Sequence, residues 1–176
     1  MSKSIALLHF GLFDLEMTRQ VAEQVKSEFA SEVVVREGHL DLSEYYDSSR
    51  RQYNANQLLA NIDTIFGNDQ GKTIGLFNID LFIPILTFIY GQAMLNGRTA
   101  IASLYRLNNE RYGLARNDNL LADRFTKEII HELGHTFGLV HCSNISCVMK
   151  SSTYIEEIDM KDVHLCMRCR HQLQGN

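Results

Sequence analysis

One proline in 176 residues, and no stretch rich in glycine and serine, leave no linker at which the chain would divide. No internal repeat or low-complexity tract is present, which excludes stacked repeat arrays and fibrous architectures. Positive charge is not in excess. The net charge is −4, so nothing steers the protein generally toward nucleic acid or an anionic membrane surface. No apolar run is long enough to span a bilayer. The first apolar stretch, Ser4 to Phe10, is broken by His9, followed by Asp14, and carries no small-residue cleavage site. A cytoplasmic protein without a leader is therefore expected. The composition, 45% hydrophobic and 22% charged, is ordinary for a globular chain about the size of one domain, with room for a small attached lobe.

The chemistry concentrates in His131-Glu132-Leu133-Gly134-His135-Thr136-Phe137-Gly138-Leu139-Val140-His141. On an α-helix His131 and His135 project from one face and can grip a single metal ion. Glu132 lies one residue further round, near the metal but free of it. Gly138 follows where a helix would end in a left-handed residue, which glycine adopts without steric cost. The chain can then turn back so that His141 supplies a third nitrogen. Three neutral imidazoles around Zn²⁺ leave the fourth tetrahedral position for water, the open arrangement of a catalytic site. Zinc lowers the pKa of that water toward about 7 and polarises a carbonyl, and Glu132 is placed to take the proton and pass it to the leaving amine.

Cysteine is absent before position 142, and all four cysteines, Cys142, Cys147, Cys166 and Cys169, lie between there and the C-terminus. In a chain without a secretion signal such clustering favours metal over disulfides. Cys166 and Cys169 form a two-residue-gap pair, and Cys142 with Cys147 can complete a Cys₄ tetrahedron around a second zinc. Unrelated buried thiols or a redox pair at Cys166 and Cys169 are the competing readings. His164 and His171 flank that pair, and either could replace a thiolate in a Cys₃His site. His9 and His39 read as structural or surface residues.

Hydrophobic periodicity predicts the frame. Residues 4–10 read as a buried strand, Asp14 as the cap of a helix carrying Leu15, Val21, Ala22, Val25 and Phe29, and Val33-Val34-Val35 as a second strand. Gly38 to Ser49 is polar and reads as a loop. A second helix spans Asn54 to about Phe66, and a third strand Thr73 to Phe77. Pro84 cannot donate to a central ladder, so Asp80 to Leu86 reads as a loop leading to an edge strand, Phe88 to Ala93. Thr99 to Leu104 returns as another strand, and Asp118 or Asn119 caps the helix bearing the metal motif, with Leu121, Phe125, Ile129, Leu133 and Phe137 on its buried face. The expected class is α+β with α/β-like order: a mixed twisted sheet with covering helices over residues 1–137, and an irregular cysteine lobe over 138–176, together one catalytic domain. That lobe is too small to hold together by apolar burial alone, and a Cys₄ zinc would staple it.

The motif from His131 to His141, followed by Met149, resembles the metzincin clan of zinc peptidases, in which a methionine turn underlies three histidines. Cys142 directly after the third histidine, Cys147 just before Met149, and the Cys166 and Cys169 pair look more narrowly like the archaemetzincins. Further similarity runs through Arg51-Gln52-Tyr53, Asp80, Gly91-Gln92-Ala93 and Ser103-Leu104-Tyr105-Arg106-Leu107. The resemblance implies a compact metzincin-like fold, a catalytic zinc held by His131, His135 and His141, a second zinc held by the four cysteines, and an edge strand around Phe88 to Ala93 that pairs with extended substrate. Where several metzincins carry a tyrosine two residues beyond the methionine, this chain has Ser151, with Tyr154 nearby. The implied function is a zinc metallopeptidase acting on peptide or protein substrates, in its narrower form an aminopeptidase. A monomer without nucleic-acid or membrane partners is expected. The competing function is a catalytically silent zinc-stapled scaffold.

Overall fold

The computed structural model describes residues 4–175; positions 1–3 and 176, at the outer ends of the expected 1–137 and 138–176 parts, lie outside the described residues. Among the described residues eight strands and five α-helices follow in chain order: β1 (Ser4–Phe10), α1 (Leu15–Phe29), β2 (Val33–Gly38), β3 (Tyr46–Asp47), β4 (Gln52–Asn54), α2 (Ala55–Phe66), β5 (Gly71–Phe77), β6 (Leu81–Phe82), β7 (Gly91–Ala93), β8 (Thr99–Ser103), α3 (Asp118–Thr136), α4 (Ile155–Met160) and α5 (Met167–Gly175). The main sheet has the order β2-β1-β5-β8-β7. All its pairings are parallel except the last, where β7 runs antiparallel to β8 at the edge. This is the mixed α+β architecture expected from the sequence.

Period-two alternation divides the sheet between two apolar layers. Ile5, Leu7, Ile74, Leu76, Ala100 and Ala102 face the side covered by α1 and α3, whereas Leu8, Phe10, Phe77 and Ile101 face α2. Covered on both faces, β5 is buried along its whole length, which is why its sequence is nearly continuously apolar. The Asp14 carboxylate accepts from Met17 N at 2.7 Å and starts α1 as anticipated.

Three local expectations need correction. The segment read as a loop from Gly38 to Ser49 contains a 3₁₀ turn at Ser43–Tyr45 and the short strand β3. β3, β4 and β6 form a second, three-stranded sheet, so part of the Asp80 to Leu86 stretch pairs with β4, while Pro84 falls beyond the ladder. The cap of α3 is Asn117, whose side chain accepts from Leu120 N at 3.0 Å. Asp118, already helical, places its charge in the first turn, where the helix dipole favours it.

The cysteine-bearing lobe is tied to α1 through Glu28. Its carboxylate, 2% exposed, accepts from His164 Nδ1 at 2.8 Å, Leu165 N at 2.9 Å and Arg170 Nη2 at 2.6 Å. Three donors from the far end of the chain thus converge on one buried acceptor. Glu28→Ala would strand the Leu165 N–H in the interior and leave Arg170 without its partner. A loss of about 2–3 kcal/mol in unfolding free energy is expected from denaturant titration, while Glu16→Ala, at an exposed pair on the same helix, should leave the unfolding midpoint nearly unchanged.

Candidate metal centre and cleft

α3 delivers two of the three histidines, and the turn that ends it delivers the third. Gly138 has φ +87, and around it Gly138 N donates to His135 O at 2.9 Å and Leu139 N to Gly134 O at 3.0 Å. These two bonds are the glycine-terminated Schellman closure of a helix. They redirect the chain so that the His141 ring stands 5.3 Å from that of His131 and 4.9 Å from that of His135, centroid to centroid. One nitrogen from each of the three rings lies within 4.8 Å of the other two.

The tautomers follow from the partners. His131 Nδ1 lies 2.8 Å from Val148 O and His135 Nδ1 2.7 Å from Leu139 O; a carbonyl only accepts, so both Nδ1 atoms carry the proton. The two Nε2 atoms are therefore bare, and they face each other at 3.1 Å. Two lone pairs at that separation repel unless a cation lies between them, and tetrahedral ligation at the usual zinc–nitrogen distance of about 2.0–2.1 Å puts neighbouring nitrogens little further apart. Burial holds His131 well below the ordinary imidazole range, assisted by the Lys161 charge, and burial likewise lowers His135 and His141. Neutral imidazoles with outer nitrogens fixed by carbonyls are the state in which this side chain binds metal.

Met149 is fully buried beneath this face. A methyl group added at Gly134 would come within 2.4 Å of Met149 Sδ, so the sulfur lies directly against the backbone between the first two histidines. Glu132 is nearly buried. Burial pushes its carboxyl well up, and the neighbouring charge of Glu128 and a hydrogen bond between the two carboxyls push it further, against Lys161. Glu128 is raised by burial in its turn, with the Lys161 charge opposing. Lys161 Nζ donates to Lys150 O at 2.9 Å and approaches Val148 O at 3.4 Å.

His131, His141, Glu128, Glu132 and Lys161 line a cavity of about 530 Å³, to which the segments Leu86 to Gly91 and Ser151 to Tyr154 also contribute. Of the expected Phe88 to Ala93 edge strand, Gly91–Ala93 pair with β8 as β7, while ahead of them Tyr90 O accepts from Ser103 N at 2.8 Å and Ile89 bridges antiparallel to Leu81, which fixes that part of the lining. Ser151 and Tyr154, singled out from the sequence, both line the cleft. Glu128 and Tyr90 were not singled out, although Glu128, one helical turn before Glu132, carried a spacing signal.

The four cysteines also converge, with all four sulfurs within 4.8 Å of one another and no disulfide. Cys142 Sγ and Cys166 Sγ are 3.8 Å apart, close to the edge of a zinc–thiolate tetrahedron. The cluster is supplied with donors: Asn144 N at 3.4 Å and Arg168 Nη2 at 3.2 Å to Cys142 Sγ, and Cys166 N at 3.3 Å to Cys147 Sγ. Cys166 directly precedes α5, and the Cys169 N–H brings its thiol down to about 7. His164 is engaged with Glu28 and His171 is exposed, so neither joins the group.

Three convergent imidazoles with a carboxylate at the floor of a cleft, flanked by a sheet edge, define the chain as a metallopeptidase by class. A family model for peptidase family M54 matches residues 14–175, and the chain belongs to that family. It is 35% identical over 179 residues to the archaemetzincin of Thermococcus kodakarensis, covering 98% of this chain and 96% of that one. Among solved structures, archaemetzincin from Methanopyrus kandleri superimposes with a TM-score of 0.86 at 32% identity, covering 99% of this chain and 94% of that one. A zinc-dependent peptidase from Methanocorpusculum labreanum gives 0.85 at 30% identity, covering 96% and 99%.

At Gly91 the edge strand passes so close to Glu132 that an added Cβ would lie 2.7 Å from Glu132 Cγ and 3.0 Å from Oε1. Gly91→Ala must therefore displace either the strand or the carboxylate. Because the same Cβ would lie 2.7 Å from Ile101 O of β8, some loss of melting temperature is expected too, and turnover per folded molecule should fall about tenfold or more, read by steady-state kinetics alongside thermal denaturation.

Proposed function

We propose that this chain hydrolyses peptide bonds at a zinc ion held by His131, His135 and His141, and that Cys142, Cys147, Cys166 and Cys169 hold a second, structural zinc, in the manner of the metzincin clan. The observation that carries the reading is the pair of bare Nε2 atoms at 3.1 Å, each on a ring whose other nitrogen is pinned to a carbonyl. The name of the Methanocorpusculum labreanum relative, a zinc-dependent peptidase, supports the choice of metal.

When bound, the catalytic zinc supplies a Lewis acid for the scissile carbonyl and lowers the pKa of water at its open position. Glu132 removes the proton from the attacking water and returns it to the leaving amine. Its partner Glu128 shares a hydrogen bond with that carboxyl and limits its rotation, and the Lys161 ammonium offsets part of their combined charge. The exposed backbone edge of β7 aligns an extended substrate by strand pairing above the histidines. Val148 O and Leu139 O keep two imidazoles in the ligating tautomer throughout. An aminopeptidase is the narrower form of this reading, and two carboxyls facing one ammonium in the cleft suit a substrate amine.

Metal analysis of the purified protein should give two zinc per chain. The Glu132→Gln variant should keep both and lose hydrolysis by about a hundredfold or more, scored by mass spectrometry on a digest of an unbiased peptide library. Unchanged turnover in that variant removes Glu132 from the mechanism. A zinc-loaded wild type that cleaves nothing favours a silent binding protein.

A further inference from the structure

Three stretches that carry the archaemetzincin resemblance, Arg51-Gln52-Tyr53, Asp80 and Ser103 to Leu107, have no part in metal binding or proton transfer. The structure gathers them around one cleft-lining segment, Leu86 to Gly91. Gln52 Nε2 donates to Thr87 O at 2.9 Å. The Arg106 guanidinium lies 4.6 Å from the centroid of the Phe88 ring and is held there by both carboxylate oxygens of Asp80, whose own carbonyl accepts from Tyr53 N at 2.8 Å. Ser103 N donates to Tyr90 O at 2.8 Å. The small sheet of β3, β4 and β6 therefore acts as a bracket for the cleft.

Within that segment Ile89 and Tyr90 are fixed by backbone bonds to β6 and β8, whereas the carbonyls of Leu86 and Thr87 are taken by side chains. Arg50 Nη2 donates to Leu86 O at 2.8 Å and to Thr87 O at 3.2 Å, so one charged donor holds two consecutive residues. Arg50 Nε donates to Gln52 Oε1 at 3.2 Å, which fixes the orientation of the amide that completes the grip on Thr87. The Arg50 guanidinium carbon lies 4.2 Å over the Phe82 ring of β6. The turn presenting both side chains is itself set: Asp47 Oδ1 accepts from Ser49 N at 2.9 Å and Arg50 N at 3.2 Å, and Arg51 has φ +57. A residue with a side chain keeps that left-handed backbone only where its surroundings impose it. We propose that Arg50 and Gln52 are positioning residues for the peptidase site, which fix Leu86 and Thr87 in the cleft and so set how tightly a peptide is held. A lining segment meets the peptide equally before and during bond cleavage, so loosening it raises KM and leaves kcat alone.

This assignment rests on the peptidase reading, and the test keeps the two apart. Zinc-loaded wild type, Arg50→Ala, Arg50→Lys and Gln52→Met are compared by amide hydrogen exchange of residues 83–90, read by mass spectrometry, and by steady-state kinetics on a peptide that the wild type cleaves. Arg50→Ala should speed exchange in 83–90 about tenfold or more while β5 exchanges as before, and should raise KM about fivefold to tenfold with kcat and zinc content unchanged. Arg50→Lys keeps a charged donor for the two carbonyls but loses the bond to Gln52, so it should recover part of the wild-type KM. Gln52→Met, similar in size and unable to donate, should raise KM about twofold to threefold. If Arg50→Ala does not fold, Arg50→Lys and Gln52→Met carry the test. Unchanged exchange in 83–90 overturns the assignment, as does faster exchange with KM unmoved, or a fall in kcat as large as the rise in KM. If the wild type cleaves nothing, the peptidase reading fails, and fluorescence anisotropy of labelled library peptides decides the rest: weaker binding to Arg50→Ala than to wild type keeps Arg50 as a positioning residue of a binding cleft, and equal binding or none removes it.

Discussion

The closure of α3 at Gly138 is the constraint on which the rest of the site depends. A helix alone can present His131 and His135, but no residue later on that helix could bring a third ring to the same point from the opposite side. The left-handed backbone at φ +87 reverses the chain within three residues. His135 is bound into this turn twice, through its own carbonyl to Gly138 N and through its ring to Leu139 O. One short segment therefore sets the direction of the chain and the protonation of a ligand nitrogen. A side chain with a Cβ at position 138 would strain that conformation, and the cost would fall on the metal face.

The same reversal joins the two candidate metal centres. His141 and Cys142 are consecutive, and Cys142 N donates to Met149 O at 2.9 Å. Met149 in turn packs against Gly134. Val148, one residue earlier, supplies the carbonyl that fixes His131 and takes its own backbone bond from the lobe, Val148 N to His164 O at 3.1 Å. The irregular segment after α3 is thus the second shelf of the histidine site, and cysteine ligation would stiffen that shelf. Arg124 adds a separate tie: nearly buried on α3, it makes a bidentate pair with Asp159 of α4 at 2.6 and 2.7 Å and reaches Leu107 O. Its planar fork satisfies both carboxylate oxygens, so the buried charge is compensated.

Features that depend on near neighbours along the chain were legible from the sequence. The covering helices, the parallel core strands, the histidine spacing and the glycine bend all follow from periodicities of two and 3.6 or from a turn requirement. The small sheet of β3, β4 and β6 was not, because two- and three-residue strands carry no period and their partners are set by tertiary packing. Asn117 was passed over as the α3 cap because three consecutive polar residues can each cap a helix, and only the backbone geometry chooses among them. Glu28 looked like one more charged helix residue; its partners lie far along the chain, at His164, Leu165 and Arg170.

The acidic character of the cleft follows from where α3 runs. Glu128 and Glu132 lie one helical turn apart, so a helix that points Glu132 into the cleft must also point Glu128 into the same interior. Removing two carboxyls from water is tolerable only with compensation, and the Lys161 ammonium compensates for one. Lys161 faces both carboxyls and offsets part of the charge of each. Gly91 meanwhile brings the edge of the sheet to within contact of Glu132. A substrate strand lying on that edge would pass Glu132 in the space of one residue, so alignment of the peptide and its approach to that carboxyl arise from the same close contact of strand and helix.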